Sequence, residues 1–260
     1  MSARTPAVAG LFYPADAPRL RAQVAELMAA APVAAAPQPK ALIVPHAGYR
    51  YSGATAARAY ARLRDGRATI RRVLLLGPAH RVYLAGMALP SVDSFATPLG
   101  HVAVDDRARE AASALPGVSI DDRAHAQEHS LEVHLPFLQI ALDSFKVLPV
   151  VVGDCPADRV ARLLDEFWVG DGTLLVISSD LSHFHDSRTA EAQDRRTCER
   201  ILAKSGDLGG DEACGCRPLN GLMHARAVAG LDIELLGLCN SGDSGGDRER
   251  VVGYGAFALH

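Results

Sequence analysis

Three apolar runs in this chain each lead into a residue able to bind a metal or move a proton. Ala41–Pro45 ends at His46, Leu74–Ala79 at His80, and Leu174–Ser179 at Asp180, with His183 three residues on. If the runs are parallel strands of one sheet, their carboxyl ends open into a common crevice, where α/β proteins bind ligands. Three imidazoles and a carboxylate gathered there suit a divalent metal or acid–base work. One histidine after a strand is commonly a loop residue bonded to backbone. Three in equivalent positions favour function over that bland reading, above all for His46 and His80.

Two other segments carry ligand-type side chains. Cys214-Gly215-Cys216 lies in a glycine-rich stretch just before Pro218, and a thiolate there suits zinc, copper or iron. A Cys-x-Cys alone is a weak motif and needs partners elsewhere. Cys155, Cys198 and Cys239 sit in helix or strand contexts and read as buried fillers. Glu128-His129-Ser130-Leu131-Glu132-Val133-His134 is dense in donors, but His129 and His134 would stand about 140° apart on a helix and cannot share one ion. Two readings of that segment stand side by side: groups that orient the metal-binding imidazoles through hydrogen bonds, or an acidic helix start favoured by the dipole. His101, His185, His224 and His260 read as surface or packing histidines.

The elements that must position these groups alternate along the chain. A helix begins at Asp16, a good N-cap, with Leu20, Val24, Leu27 and Met28 on one face, and ends before a loop over Ala30–Pro39. Strand Ala41–Pro45 is followed by a helix over Ala54–Leu63, strand Arg72–Leu76 and a weak strand at Val102–Val104. Gln127–Leu142 has helical spacing that Pro136 should kink. Strand Lys146–Val152, helix Ala157–Phe167, strand Leu174–Ser178 and a polar helix over Asp186–Lys204 come next. In that last helix Ala190, Cys198, Ile201 and Leu202 face inward. A loop over Gly206–Cys216 and a short helix over Pro218–Leu231 lead to two closing strands, Ile233–Leu238 and Val251–Leu259, paired antiparallel around a loop at Ser241–Asp247. This order predicts an α/β/α sandwich with a central mixed sheet, and the absence of repeats, linkers or composition breaks predicts a single domain over residues 1–260.

Composition narrows the function classes. Of the 260 residues, 48% are hydrophobic, enough for a packed core, and a net charge of −3 without basic blocks gives no nucleic-acid or membrane-surface signature. The apolar runs are too short to span a bilayer, and the N-terminus lacks the order of a secretory signal. Five cysteines without a regular framework argue for free thiols or ligands in a reducing compartment, so the expected location is cytoplasmic.

Ala9-Gly-Leu-Phe-Tyr-Pro, Pro45-His-Ala-Gly-Tyr-Arg-Tyr-Ser-Gly, Gly77-Pro-Ala-His, Glu128-His-Ser-Leu-Glu-Val-His-Leu-Pro, Ser178-Ser-Asp-Leu-Ser-His and the Cys214-Gly loop together resemble the Memo family. Its bacterial and archaeal members are called AmmeMemoRadiSam system protein B. The resemblance runs from about Ala7 to Leu259, six motifs in order. That family is similar in fold to the class III extradiol dioxygenases, non-haem iron enzymes, which implies an extradiol-dioxygenase-like sandwich with its site at one end of the sheet. By resemblance His46, His80 and Cys214 match the metal-binding set, and His183, oriented by Asp180, stands where a dioxygenase has its catalytic base. One departure lies in the cysteine loop: the family commonly has Cys-Gly-Arg-His-Pro, whereas this chain has Cys214-Gly-Cys-Arg-Pro, so Cys216 offers a second thiol.

The resemblance implies a metal-dependent oxidoreductase using iron(II) or copper, with zinc as a further candidate, acting on a small molecule or a partner protein. A radical-SAM protein is an implied system partner. Thiolate in place of carboxylate softens the site, and a shared fold does not carry a shared reaction. Two other classes therefore stand beside the enzyme: a binding or adaptor module with a degenerate pocket, and a protein that sequesters copper or iron.

Overall fold

Apolar runs without polar alternation require cover on both faces, and they receive it. The computed structural model describes residues 2–32 and 37–260. In chain order the strands are β1 (Ala3–Arg4), β2 (Ala41–Val44), β3 (Arg72–Pro78), β4 (Met87–Leu89), β5 (Ser94–Thr97), β6 (Gly100–Ala103), β7 (Val118–Ile120), β8 (Lys146–Val152), β9 (Thr173–Ser178), β10 (His183–His185), β11 (Ile233–Asn240) and β12 (Val251–Leu259). The α-helices are α1 (Ala17–Ala30), α2 (Tyr49–Tyr60), α3 (Asp106–Ser113), α4 (Asp122–Ala126), α5 (Leu135–Ala141), α6 (Ala157–Phe167), α7 (Ser187–Leu202) and α8 (Cys216–His224).

A nine-stranded mixed sheet has the order β10-β12-β2-β9-β3-β8-β4-β7, with β11 on β12; β1, β5 and β6 form a separate three-stranded sheet. Its centre, β2-β9-β3-β8, is parallel. Side chains alternate there with the period of two that a strand imposes. Leu42, Val44, Val73, Leu75, Leu174 and Val176 join a core with α1, α2 and α5, while Ala41, Ile43, Leu74, Leu76, Leu175 and Ile177 join one with α3, α6, α7 and α8. The result is the α/β/α sandwich expected from the sequence.

Register levels the strand ends that matter. Val44 lies opposite Ser178, Leu76 opposite Ile177 and Gly77 opposite Val151. His46, His80 and Asp180 therefore leave the sheet side by side.

Several boundaries differ from expectation. Helix α2 starts at Tyr49, not Ala54, because Gly48 gives the turn out of the His46 loop. Gln127–Leu142 is not one kinked helix: a short 3-10 turn, Glu132–His134, precedes α5, and Pro136 sits in the first turn of α5, where a missing N–H costs nothing. Helix α8 starts at Cys216 and gives way to a 3-10 turn over Arg226–Gly230. Leu202 is partly exposed at the end of α7, whereas Ala190, Cys198 and Ile201 are buried as predicted. The short strands β4, β5 and β7 and the helices α3 and α4 carry too few residues to show a period. The closing strands β11 and β12 are antiparallel, as expected. Of the predicted loop Ala30–Pro39, Ala30 ends α1 and residues 33–36 lie outside the described residues. No helix among the described residues is long and apolar enough to cross a membrane.

Candidate metal centre

His46 is buried two residues past the end of β2, and every polar atom facing the protein is spoken for. Its backbone N–H donates to Asp180 Oδ1 at 2.7 Å. Its Nδ1 lies 2.6 Å from Ser178 Oγ, and that hydroxyl gives its single proton to the Ser130 carbonyl at 2.6 Å. Ser178 must therefore accept from His46, which places the ring proton on Nδ1 and leaves the Nε2 lone pair free. Burial, followed by the charges of His80, His129, His134 and His183, holds the His46 imidazole well below the usual histidine range.

His80 is oriented in the same sense by a carboxylate. Its backbone N–H donates to Glu128 Oε2 at 2.6 Å, and its Nδ1 lies 2.9 Å from Glu128 Oε1. Burial alone would raise the Glu128 carboxyl, but the hydrogen bonds and charge from His80 prevail and hold it at about 2, so it remains an acceptor. A carboxylate behind Nδ1 fixes the tautomer that presents Nε2 to a metal.

The third imidazole is His129. Its ring centroid lies 4.8 Å from that of His80 and 5.4 Å from that of His46, while His46 and His80 are 5.1 Å apart. One ring nitrogen from each of the three falls within 4.8 Å of the others, a spacing that could hold one metal ion. Nδ1 of His129 is buried without a hydrogen-bond partner, and burial lowers this imidazole to about 4. Three imidazoles at this spacing, two of them held low by burial, suit a cation.

Sequence reasoning placed Glu128 and His129 as orienting groups or a helix start. Glu128 does orient His80, but His129 belongs to the cluster itself. His134 stands outside the cluster, as helical spacing predicts, but for another reason. His134 points into the core, with Nδ1 2.8 Å from Tyr60 Oη, and the segment between them is not a continuous helix. The adjacency of His129 to Glu128 was the available signal.

Cys214 Sγ lies 3.4 Å from His46 Nε2 and accepts from the Asp180 N–H at 3.3 Å. Backbone bonds seat the loop: Cys214 N–H to the Asp180 carbonyl at 3.2 Å and Gly215 N–H to Ser179 Oγ at 2.9 Å. A Cβ on residue 215 would stand 2.6 Å from the Ser178 carbonyl oxygen, so only glycine allows this approach. Burial pushes the Cys214 thiol upward, leaving it protonated in the absence of a cation. Cys216 packs into the core beneath α8.

Asp180 is buried, with Oδ2 4.0 Å from His46 Nε2, and burial outweighs the His46 N–H bond to raise its carboxyl to about 7. Its hydrogen bonds go to the His46 and Cys214 loops. No hydrogen bond joins it to His183, the residue Asp180 is expected to orient. His183 opens β10, near enough to His46 and His80 for their charges to act on one another, and is lowered chiefly by burial.

The first motif, Ala9–Pro14, is explained by a buried carboxylate. Glu132 accepts from Tyr13 Oη at 2.5 Å, Ala7 N–H at 2.7 Å, Val8 N–H at 3.0 Å and the Arg4 guanidinium. Arg4 also donates to the Glu128 carbonyl at 2.6 Å. The N-terminal segment is thereby bound to the His129 loop, and the Phe12 ring packs edge-on against His129 with centroids 5.0 Å apart.

A family model described as "Memo-like protein" matches residues 4–258. The chain belongs to the Memo family. A MEMO1 family protein of Aquifex aeolicus is 36% identical, with 98% of each chain covered. Another, from Methanothermobacter thermautotrophicus, is 35% identical over 96% of this chain and 98% of its own. Among solved structures, the uncharacterized protein JW3007 of Escherichia coli K12 aligns with a TM-score of 0.46 and 13% identity, over 83% of this chain and 98% of that one. In this Memo-family chain the six motifs read from the sequence all adjoin the three-imidazole cluster or the contacts that hold it.

Proposed function

We propose that this Memo-family chain is a metal-dependent oxidoreductase whose centre takes iron(II) or copper. The observation that carries this reading is the fixed orientation of two imidazoles. Ser178 and Glu128 occupy Nδ1 of His46 and His80, leaving both Nε2 atoms for an ion. Cys214, on the His46 side, is the third donor, and His129 offers a further imidazole. When bound, such an ion supplies Lewis acidity and one-electron chemistry.

The residues around it handle protons. Asp180, with its carboxyl near 7, can hold or release a proton at Oδ2 at neutral pH. His183, held low by burial, is a neutral base at the cluster's edge. Glu128 remains ionised behind His80 and offsets part of an ion's charge.

The test is anaerobic loading with iron(II), read by elemental analysis, followed by oxygen uptake. About one ion per chain is expected, lost in His46→Ala and His80→Ala without loss of fold, because each removes a donor with no replacement. Full occupancy in both variants would remove the site from consideration. Stoichiometric metal without oxygen uptake on any substrate offered would assign the centre to metal storage instead.

A further inference from the structure

Among the described residues, four of the eight large apolar side chains left in water adjoin the imidazole cluster in sequence. Leu11 is 81% exposed, Tyr83 86% and Phe184 66%, with Val82 beside Tyr83 also exposed. Leu11 precedes Phe12, whose ring meets His129; Val82 and Tyr83 follow His80 by two and three residues; Phe184 follows His183. Leu11, Val82 and Tyr83 lie outside helices and strands and Phe184 lies in β10, each within three residues of a group in or against the cluster. Exposed apolar groups that recur around one polar site mark a binding surface, whereas single ones carry no such meaning.

Phe184 adds strain to exposure. Its φ is +66°, a left-handed conformation that a bulky side chain adopts at a cost. Nothing buries its ring in return; Arg250 lies over it, with the guanidinium 5.2 Å from the centroid. Arg81 is exposed and directly follows His80. Neither arginine forms an ion pair with a carboxylate among the described residues. This rim of the cluster therefore offers exposed apolar side chains with positive charge at two points.

We infer that this rim binds the apolar body of a small anionic organic ligand. Tyr83, Phe184 and Leu11 would cover its planar or aliphatic part, and Arg81 and Arg250 would meet its acidic group. The inference rests on the metal centre proposed above as the reacting end of the site, but the rim is present without any ion, so the two can fail separately. Specificity then resides in the exposed loop residues and not in the metal donors.

The experiment is fluorescence titration of the metal-free protein with anilinonaphthalene sulfonate, a planar apolar anion. Tyr83→Ser together with Phe184→Ser is expected to raise its dissociation constant by about tenfold or more, the loss from uncovering two aromatic contacts. Arg81→Glu should weaken binding as well. Val169→Ser removes an apolar side chain 53% exposed at the opposite end of the sheet, before β9, and should leave binding unchanged. All of these positions are at the surface, where substitution disturbs folding little. Equal binding by wild type and the rim variant, or an equal loss in Val169→Ser, would overturn the inference. Retained metal uptake in the rim variant would show that the centre itself is intact.

Discussion

At the scale of single residues, the centre is governed by where protons sit. Ser178 has one proton and spends it on Ser130, Glu128 has none, and these two facts aim His46 and His80 at the same point. Cys214 is the opposite case, a thiol that burial keeps protonated until a cation draws the proton off. Metal uptake at neutral pH in weak buffer should therefore release about one more proton per ion from wild type than from Cys214→Ser, as counted by indicator dye. Equal release would take Cys214 out of the donor set and leave the third place to His129.

At the scale of elements, backbone chemistry at the ends of helices and strands decides the layout. Gly215 lets the cysteine loop lie against β9, and Gly77 does the same for the His129 loop: a Cβ there would stand 2.8 Å from Leu131 Cδ2 and from Ser130 Oγ. Helix α7 ends in a Schellman arrangement, with Lys204 N–H on the Ile201 carbonyl and Ser205 N–H on the Arg200 carbonyl, both at 2.9 Å. The residue this arrangement places in the left-handed region is Lys204, at φ +57°. Lys204→Gly should relieve that conformation and stabilise the protein by about 0.5–1 kcal/mol in urea denaturation. A loss of stability would mean that the Lys204 side chain, 3.5 Å from the Ala229 carbonyl, matters more than the backbone.

At the scale of the whole molecule, buried neutral histidines set the response to acid. His125 is lowered from 6.5 to about 4, mainly by burial, and His134 to about 3. Their folded values lie below the unfolded one. The unfolded chain therefore takes up protons first as pH falls below 6.5, and stability is lost between there and about 4. Asp180, raised from 3.8 to about 7, acts in the opposite sense over the whole of this range, so a difference measurement isolates the histidine. His125→Gln, which can keep the bond to the Ala88 carbonyl, should flatten the decline between pH 6 and pH 5 by about 1.4 kcal/mol per unit in metal-free protein. An unchanged slope would show that His125 is not the titrating group.

Much of this was written in the sequence because short-range chemistry writes it. The continuous apolar runs of β2, β3, β8 and β9 declare a doubly covered sheet, and their ends declare His46, His80 and Asp180, since a strand's length and direction follow from its own residues. Asp16 and Asp186 mark helix starts for the same reason. What tertiary structure alone decided is which side chains meet across long separations. His129 reads locally as a member of a helix, yet Glu128 draws the chain out of helical form by accepting the His129 and Ser130 N–H groups at 2.9 Å each, and the ring turns to the cluster. Asp180 reads as the partner of nearby His183, yet its bonds go to residues 134 positions earlier and 34 later. Spacing alone does not separate Cys214 from Cys216, although the resemblance favours Cys214, and packing sends that sulfur to His46 and the other into the core. The physical reason is common to all three: a hydrogen bond or a thiol is satisfied by whatever the fold brings within about 3 Å, and that distance is set by the whole chain.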